Sequence, residues 1–238
     1  MTTKLLFNKK ARRFLTSPFF IIQTVVVITF LMAWLGSLGF IVGLAIALLT
    51  FWATKWDRAY FGLGKANWAN SIVPAIGFTL IIILLNDFLT EPLVEILTGM
   101  TVDISQFEAL HGNLQNLIIM LAVMWVMAAF GEEFFFRAYM MNRLGHLLGN
   151  NYFSWILAAF ISAFSFGLAH AYQGVSGVIT TGIVGLVLAL VFYNNRNNLL
   201  VGILTHGIYD TYGLLLIYFE KELVIKSIMI EIFQSLIN

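Results

Sequence analysis

The feature that most limits how this chain can fold is a succession of uninterrupted apolar runs, each close to the ~20 residues that an α-helix needs to cross a bilayer. The first, Pro18 to Ala53, is long enough for two helices with a turn near Gly36-Ser37-Leu38-Gly39. Others cover about Ser71 to Leu89, Leu114 onward, Tyr152 to Ala171, Val178 to Tyr193 and Leu199 to Phe219. In lipid each backbone amide must be satisfied inside its own span, so the predicted fold is all-α: one polytopic transmembrane helical bundle of seven or eight spans. Composition agrees, with 60% hydrophobic and 11% charged residues among 238 and a mean hydropathy of +0.90. A net charge of +1 gives no basis for a nucleic-acid partner. The absence of cysteine excludes disulfides, thiolate ligands and a cysteine nucleophile.

Charge assigns the ends of these spans. Lys4, Lys9, Lys10, Arg12 and Arg13 precede Pro18 and argue for a cytoplasmic N-terminus; Lys55, Arg58 and Lys65, and later Arg196 in the turn Asn194 to Asn198, return the chain to that side. The basic head resembles a signal peptide, but the run after it is too long and lacks a small-residue cleavage site. Glu91, Glu95, Asp103, Glu108 and His111 fall in a stretch without Lys or Arg, expected as a loop on the outer face, with His111 solvated. Residues 1–113 thus read as N-terminal spans and an acidic loop, and 114–219 as the core. Residues 220–238, with Lys221, Lys226 and Glu231, read as a short span or an interfacial helix. Glycines 177, 182 and 185 predict close helix approach.

Against this background the run Gly131-Glu132-Glu133-Phe134-Phe135-Phe136-Arg137 is anomalous, because an ionisable group in a span is costly and by default marks a site. Glu133 and Arg137 stand four apart with the acid first, the favoured arrangement for a same-face ion pair; Glu132 lies about 100° away on an α-helix and is left free for chemistry. Folding the flanking runs as a hairpin about Gly149-Asn150-Asn151 tests this. Glu132 is 17 positions before Gly149 and His170 is 19 after Asn151, so both come to nearly one height. Phe166 shares a helix face with His170, four residues on, and His206 shares one with Asp210. His206 lies ~12 Å beyond the turn at Asn198, and Glu132 ~16 Å beyond Arg143, which predicts a common buried layer opening toward the cytoplasm.

Such a layer suits amide hydrolysis, which needs an activated water and a donor to the developing oxyanion. Glu132 and His170 would hold the water, His206 would donate to the oxyanion, and Asp210 would orient His206 or the substrate. Phe166 would form a wall and the Glu133–Arg137 pair would hold the helix in register. A zinc held by His170, His206 and Glu132 or Asp210 is the competing mechanism, although no His-Glu-x-x-His is present. Gly174-Val175-Ser176-Gly177 matches a rhomboid-type Gly-x-Ser-Gly but reads as a turn and helix packing, and Tyr209-Asp210 is half of a presenilin-type pair without its Gly-x-Gly-Asp.

The ordered set Glu132-Glu133-x-x-x-Arg137, Phe166-x-x-x-His170 and His206-x-x-x-Asp210 resembles the CPBP (Abi) family, the type II CAAX prenyl endopeptidases and bacteriocin-processing relatives. Phe61-Gly62-Leu63-Gly64-Lys65 adds a minor likeness. The resemblance implies an intramembrane glutamate-dependent endopeptidase without a cofactor, with Glu132 and His170 activating water and His206 and the residue at 210 forming the oxyanion pocket. Eukaryotic members carry Asn at that last position; an ionised Asp210 cannot donate, so orienting His206 is its expected role. The expected partners are the bilayer, in a bacterial plasma membrane, and a peptide or protein tail with or without a lipid. A non-catalytic immunity or scaffold protein using the same polar core is the alternative, with a proton-coupled transporter behind it.

Overall fold

The computed structural model describes residues 2–196 and 198–237; Met1, Asn197 and Asn238, the second of them in the polar turn expected before the last long span, lie outside the described residues. Each apolar run forms a helix. The chain runs through α1 (Thr2–Leu15), α2 (Pro18–Leu35), α3 (Ser37–Ala53), α4 (Ala69–Thr98), α5 (Leu114–Leu147), α6 (Tyr152–Ala169), α7 (Gly174–Asn194), α8 (Leu199–Tyr218) and α9 (Glu222–Ile237). Polar residues start several of them: Ser17, Asn113 and Asn151 each accept from a backbone amide three residues on, satisfying a donor left open at a helix N-terminus.

Six of these helices, α2, α4, α5, α6, α7 with the turn before it, and α8, are long and apolar enough to cross a membrane; the 17-residue apolar α3 is shorter. The expected polytopic helical bundle is what forms. Its outside is apolar, with Trp34, Phe153, Phe19 and Val73 all at least 75% exposed, as a lipid-facing surface requires. The predicted turn between the first two long helices is present, made by Gly36 at φ +54°, where an L side chain is disfavoured. Helix α9 is not among the six and packs along α4, where Lys226 reaches Glu91 at 3.5 Å and Glu95 at 3.3 Å. Those two acids correct one expectation: they belong to the last two turns of α4, and the acidic connection begins only after Thr98.

Two helices depart from α geometry. In α4 the stretch Asn86–Thr90 is π-helical, and Thr90 Oγ1 donates to the Leu85 carbonyl five residues back at 2.8 Å. In α5 the π-helical stretch is Trp125–Met141, which contains the whole Glu-Glu-Arg motif. Such wide turns recur at functional sites.

The same stretch supplies the packing centre. Phe134 stacks on Phe61 at 5.3 Å, Phe135 meets Phe40 edge-on at 6.3 Å, and Phe136 meets Phe166 edge-on at 5.1 Å. These rings carry α5 against α2, α3 and α6 with no polar atom to satisfy. Close approach is set by glycine, at Gly185 as the sequence suggested and at Gly167, which it did not single out. A Cβ at Gly185 would come within 2.9 Å of the Phe166 ring, and one at Gly167 within 2.5 Å of the Val178 carbonyl, so α6 and α7 touch almost backbone to backbone.

Candidate active site

Helices α5, α6 and α8 each bring one part of the predicted constellation to the same place. Wound as a π-helix, α5 keeps Glu133 and Arg137 on one face, and Arg137 Nη1 lies 3.0 Å from Glu133 Oε1 with both side chains fully buried. A buried ion pair recovers its desolvation cost only through further polar contacts. Arg137 has two: Nη2 donates to the Gly185 carbonyl at 3.1 Å, and its guanidinium lies 4.6 Å from the centre of the Phe166 ring. The predicted pair is therefore present, locked between α6 and α7.

Glu133 does more than the sequence indicated. Its Oε1 also lies 3.1 Å from His206 Nδ1, which ties the ion pair directly to α8. The contact depends on Gly202, one turn earlier on α8, because a Cβ there would sit 2.9 Å from Glu133 Oε2. Gly207, whose added Cβ would come within 2.4 Å of the Trp125 ring, seats the α5 indole, and Trp125 Nε1 donates to Thr211 Oγ1 at 3.2 Å. Close contacts on both sides of His206 thus set its depth. Only the glycines at 202 and 207 could have signalled this in sequence, and glycine is common here.

The other imidazole nitrogen faces two acids. His206 Nε2 lies 3.4 Å from Asp210 Oδ2, its neighbour one turn along α8, and 3.9 Å from Glu132 Oε2. Glu132 Oε2 is buried and accepts no hydrogen bond among the described residues. On the opposite side Phe166 stands between the two histidines, its ring centre 5.8 Å from that of His206 and 4.8 Å from that of His170. His170 ends α6, and its Nδ1 lies 2.8 Å from the Phe166 carbonyl. A carbonyl only accepts, so Nδ1 carries the proton in this contact and Nε2 keeps its lone pair.

Glu132, His170, His206 and Asp210 all line one cavity of about 560 Å³, with Phe166, Tyr209 and Asn86 also in its wall. Glu133 and Arg137 are absent from the wall, sealed in the layer behind. The first spans also contribute: Ser37, Phe40 and Ile41 of α3 and Asn86 and Glu91 of α4 take part, so the chamber is not built from 114–219 alone. Val102, Ile104, Gln106 and Phe107 of the connection from α4 to α5 also line it, and among the described residues none from the basic turns after α3 and after α7 does. Asn86 was missed in sequence, and Tyr209 was noticed only as half of a presenilin-type pair. An Asn-Asp pair inside an apolar run, at 86 and 87, is the signal that could have found the first.

One other motif resolves as structure. Ser176 of the Gly-x-Ser-Gly is buried in the first turn of α7 and donates to the Met100 carbonyl at 2.7 Å. Among the described residues no group of three or more His, Asp or Glu side chains is arranged to hold a metal ion.

Residues 114–212 match the family described as Type II CAAX prenyl endopeptidase Rce1-like, and this stretch carries Glu132, Glu133, Arg137, Phe166, His170, His206 and Asp210. No curated protein and no solved structure matches the chain.

Proposed function

Starting from a core that belongs to the Rce1-like branch of the CPBP (Abi) family, we propose that this protein is an intramembrane endopeptidase whose water is activated by Glu132 and His170. The observation that carries the reading is the shared cavity, in which the Glu132 and Asp210 carboxylates and two imidazoles, from three separate helices, line one wall.

The chemistry follows from which atoms have their partners. His170 Nε2, with its lone pair exposed by the Nδ1 contact, accepts one hydrogen of a water, and the Glu132 carboxylate takes the proton as the oxygen attacks the peptide carbonyl. His206, held at Nδ1 by Glu133, presents Nε2–H to the oxyanion that forms. Asp210, 3.4 Å from that same nitrogen, orients it and helps to balance its charge when no substrate is bound. Glu132 then returns its proton to the leaving amine, and the bond between carbonyl carbon and amide nitrogen breaks. Phe166 separates the imidazoles and keeps bulk water from between them. The substrate is a peptide or protein tail delivered from the membrane.

Charge supports a side for that delivery. The basic turns lie at one end of the bundle and the cavity runs to the other, where 102–107 sit, so an N-terminus in the cytoplasm puts the opening on the outer face and not toward the cytoplasm. The lack of native cysteine makes this testable: a membrane-impermeant maleimide should label Ser105→Cys but not Lys65→Cys in intact cells. The reverse pattern inverts the orientation.

Activity is tested with a pool of synthetic apolar peptides, with and without a farnesylated C-terminal cysteine, incubated with purified protein and read by mass spectrometry. Cleavage by the wild type that is lost in Glu132→Gln and in His170→Ala is the expected result. Equal cleavage by all three proteins would remove the mechanism.

A further inference from the structure

A polar element of α4 also enters the chamber, and neither the family motifs nor the mechanism above uses it. Asn86 opens the π-helical stretch of α4, is 6% exposed, and lines the same cavity as Glu132, His170, His206 and Asp210. Its amide nitrogen donates to Tyr209 Oη at 2.9 Å and approaches Asp87 Oδ1 at 3.2 Å; Tyr209 in turn donates to the same Asp87 oxygen at 3.0 Å. This chain fixes which end of the amide is which. The single Tyr209 proton goes to Asp87, so the tyrosine oxygen can only accept from Asn86, and the amide nitrogen must face it. The other end, Oδ1, is buried and accepts no hydrogen bond among the described residues. A buried acceptor left unpaired costs more than an average hydrogen bond returns, so a partner for it has a real energetic advantage.

Resting on the endopeptidase reading, we infer that Asn86 is a substrate-positioning residue whose Oδ1 accepts a hydrogen bond from a backbone N–H of the bound peptide. The partner must be a donor, which suits an extended peptide and excludes the carbonyl edge of the same chain. Tyr209 and Asp87 are positioning residues for it, holding the amide so that the oxygen cannot turn away. Tyr209 also couples this contact to the catalytic helix, since it precedes Asp210 on α8 and both line the chamber. The π-helical turn that starts at Asn86 changes the local winding of α4 and so sets the face on which this side chain stands.

The test uses the full-length protein in detergent and the peptide that the wild type cuts fastest from the pool described above. Each backbone N–H near the cut is replaced in turn by an ester oxygen, which removes one donor at a time. Asn86→Ala should raise KM about three- to ten-fold, the worth of one hydrogen bond, with kcat changed far less. At one position the ester should cost the wild type that same factor and cost Asn86→Ala nothing further. Tyr209→Phe, which keeps the ring, should show a smaller loss at that position, and it carries the experiment if Asn86→Ala does not fold. Unchanged KM in a folded Asn86→Ala, or ester losses that simply multiply with the mutation, would overturn the inference and leave the peptidase intact. If no peptide is cut by the wild type or bound by Glu132→Ala, this inference and the peptidase reading fall together.

Discussion

Glu132 and Glu133 are consecutive residues of one type on one helix, yet they sit in regions of opposite character. Glu133 is fully buried, its Oε1 shared between Arg137 and His206; Glu132 stands at the cavity wall, its Oε2 3.9 Å from His206 Nε2. One step along the winding of α5 separates a dry layer that holds four helices, α5 to α8, together from the wall of the chamber. The difference teaches that the acid-acid-arginine motif divides in two: the inner carboxylate sets where the second imidazole stands, and the outer one reaches the cavity.

The comparison is broken most severely from the dry side. Glu133→Ala leaves the Arg137 guanidinium buried without its counter-ion and should cost about 3–5 kcal/mol of stability, read as loss of folded protein in thermal unfolding in detergent. A variant with unchanged unfolding would show that the pair is not structural. On the chamber side the expectation is the reverse: Glu132→Gln should lower kcat/KM at least about 100-fold while its unfolding midpoint stays within about 2 °C of the wild type. If both properties fell together, the two carboxylates would belong to a single structural cluster.

Gly202→Ala sharpens the boundary between the layers. Its Cβ would press on Glu133 Oε2 at 2.9 Å, so a cost of about 1–3 kcal/mol is expected, with turnover falling in step as His206 is displaced. Full activity with unchanged stability would show that the contact has room to relax. Lys226 is not itself in the cavity wall, and Lys226→Ala should cost at most about 1 kcal/mol, because its contacts to Glu91 and Glu95 at 3.5 and 3.3 Å are partly solvated. The smallest expected effect is that of a chelator. Turnover should be unaltered by EDTA, and activity that vanishes and returns with added zinc would move the mechanism to the metal-dependent alternative.

Much of this was legible in advance because it depends on local periodicity. Helix identity follows from apolar runs in a solvent that cannot satisfy backbone amides, and the Glu133–Arg137 pair follows from spacing of four on one helix, which α and π winding both keep on one face. The meeting of Glu132 with His206 needed only chain heights across two turns. The less local features were misread or missed. Glu91 and Glu95 read as loop because acids suggested the end of a span, whereas α4 continues through them with Lys226 of α9 at hand. Glu133 as a partner of His206, Gly202 as the gap that admits it, and Asn86 facing Tyr209 each join residues 69 to 123 positions apart.

What the amino-acid sequence determined by itself was the class of object, a helical bundle for lipid, and the short list of side chains too polar to be there without purpose. Which of two adjacent carboxylates would be sealed and which exposed to a cavity was decided only when α6, α7 and α8 closed around α5. Burial and hydrogen-bond partners are properties of the space between helices, and that space is shaped by glycines and aromatic rings whose effect depends on what packs opposite them.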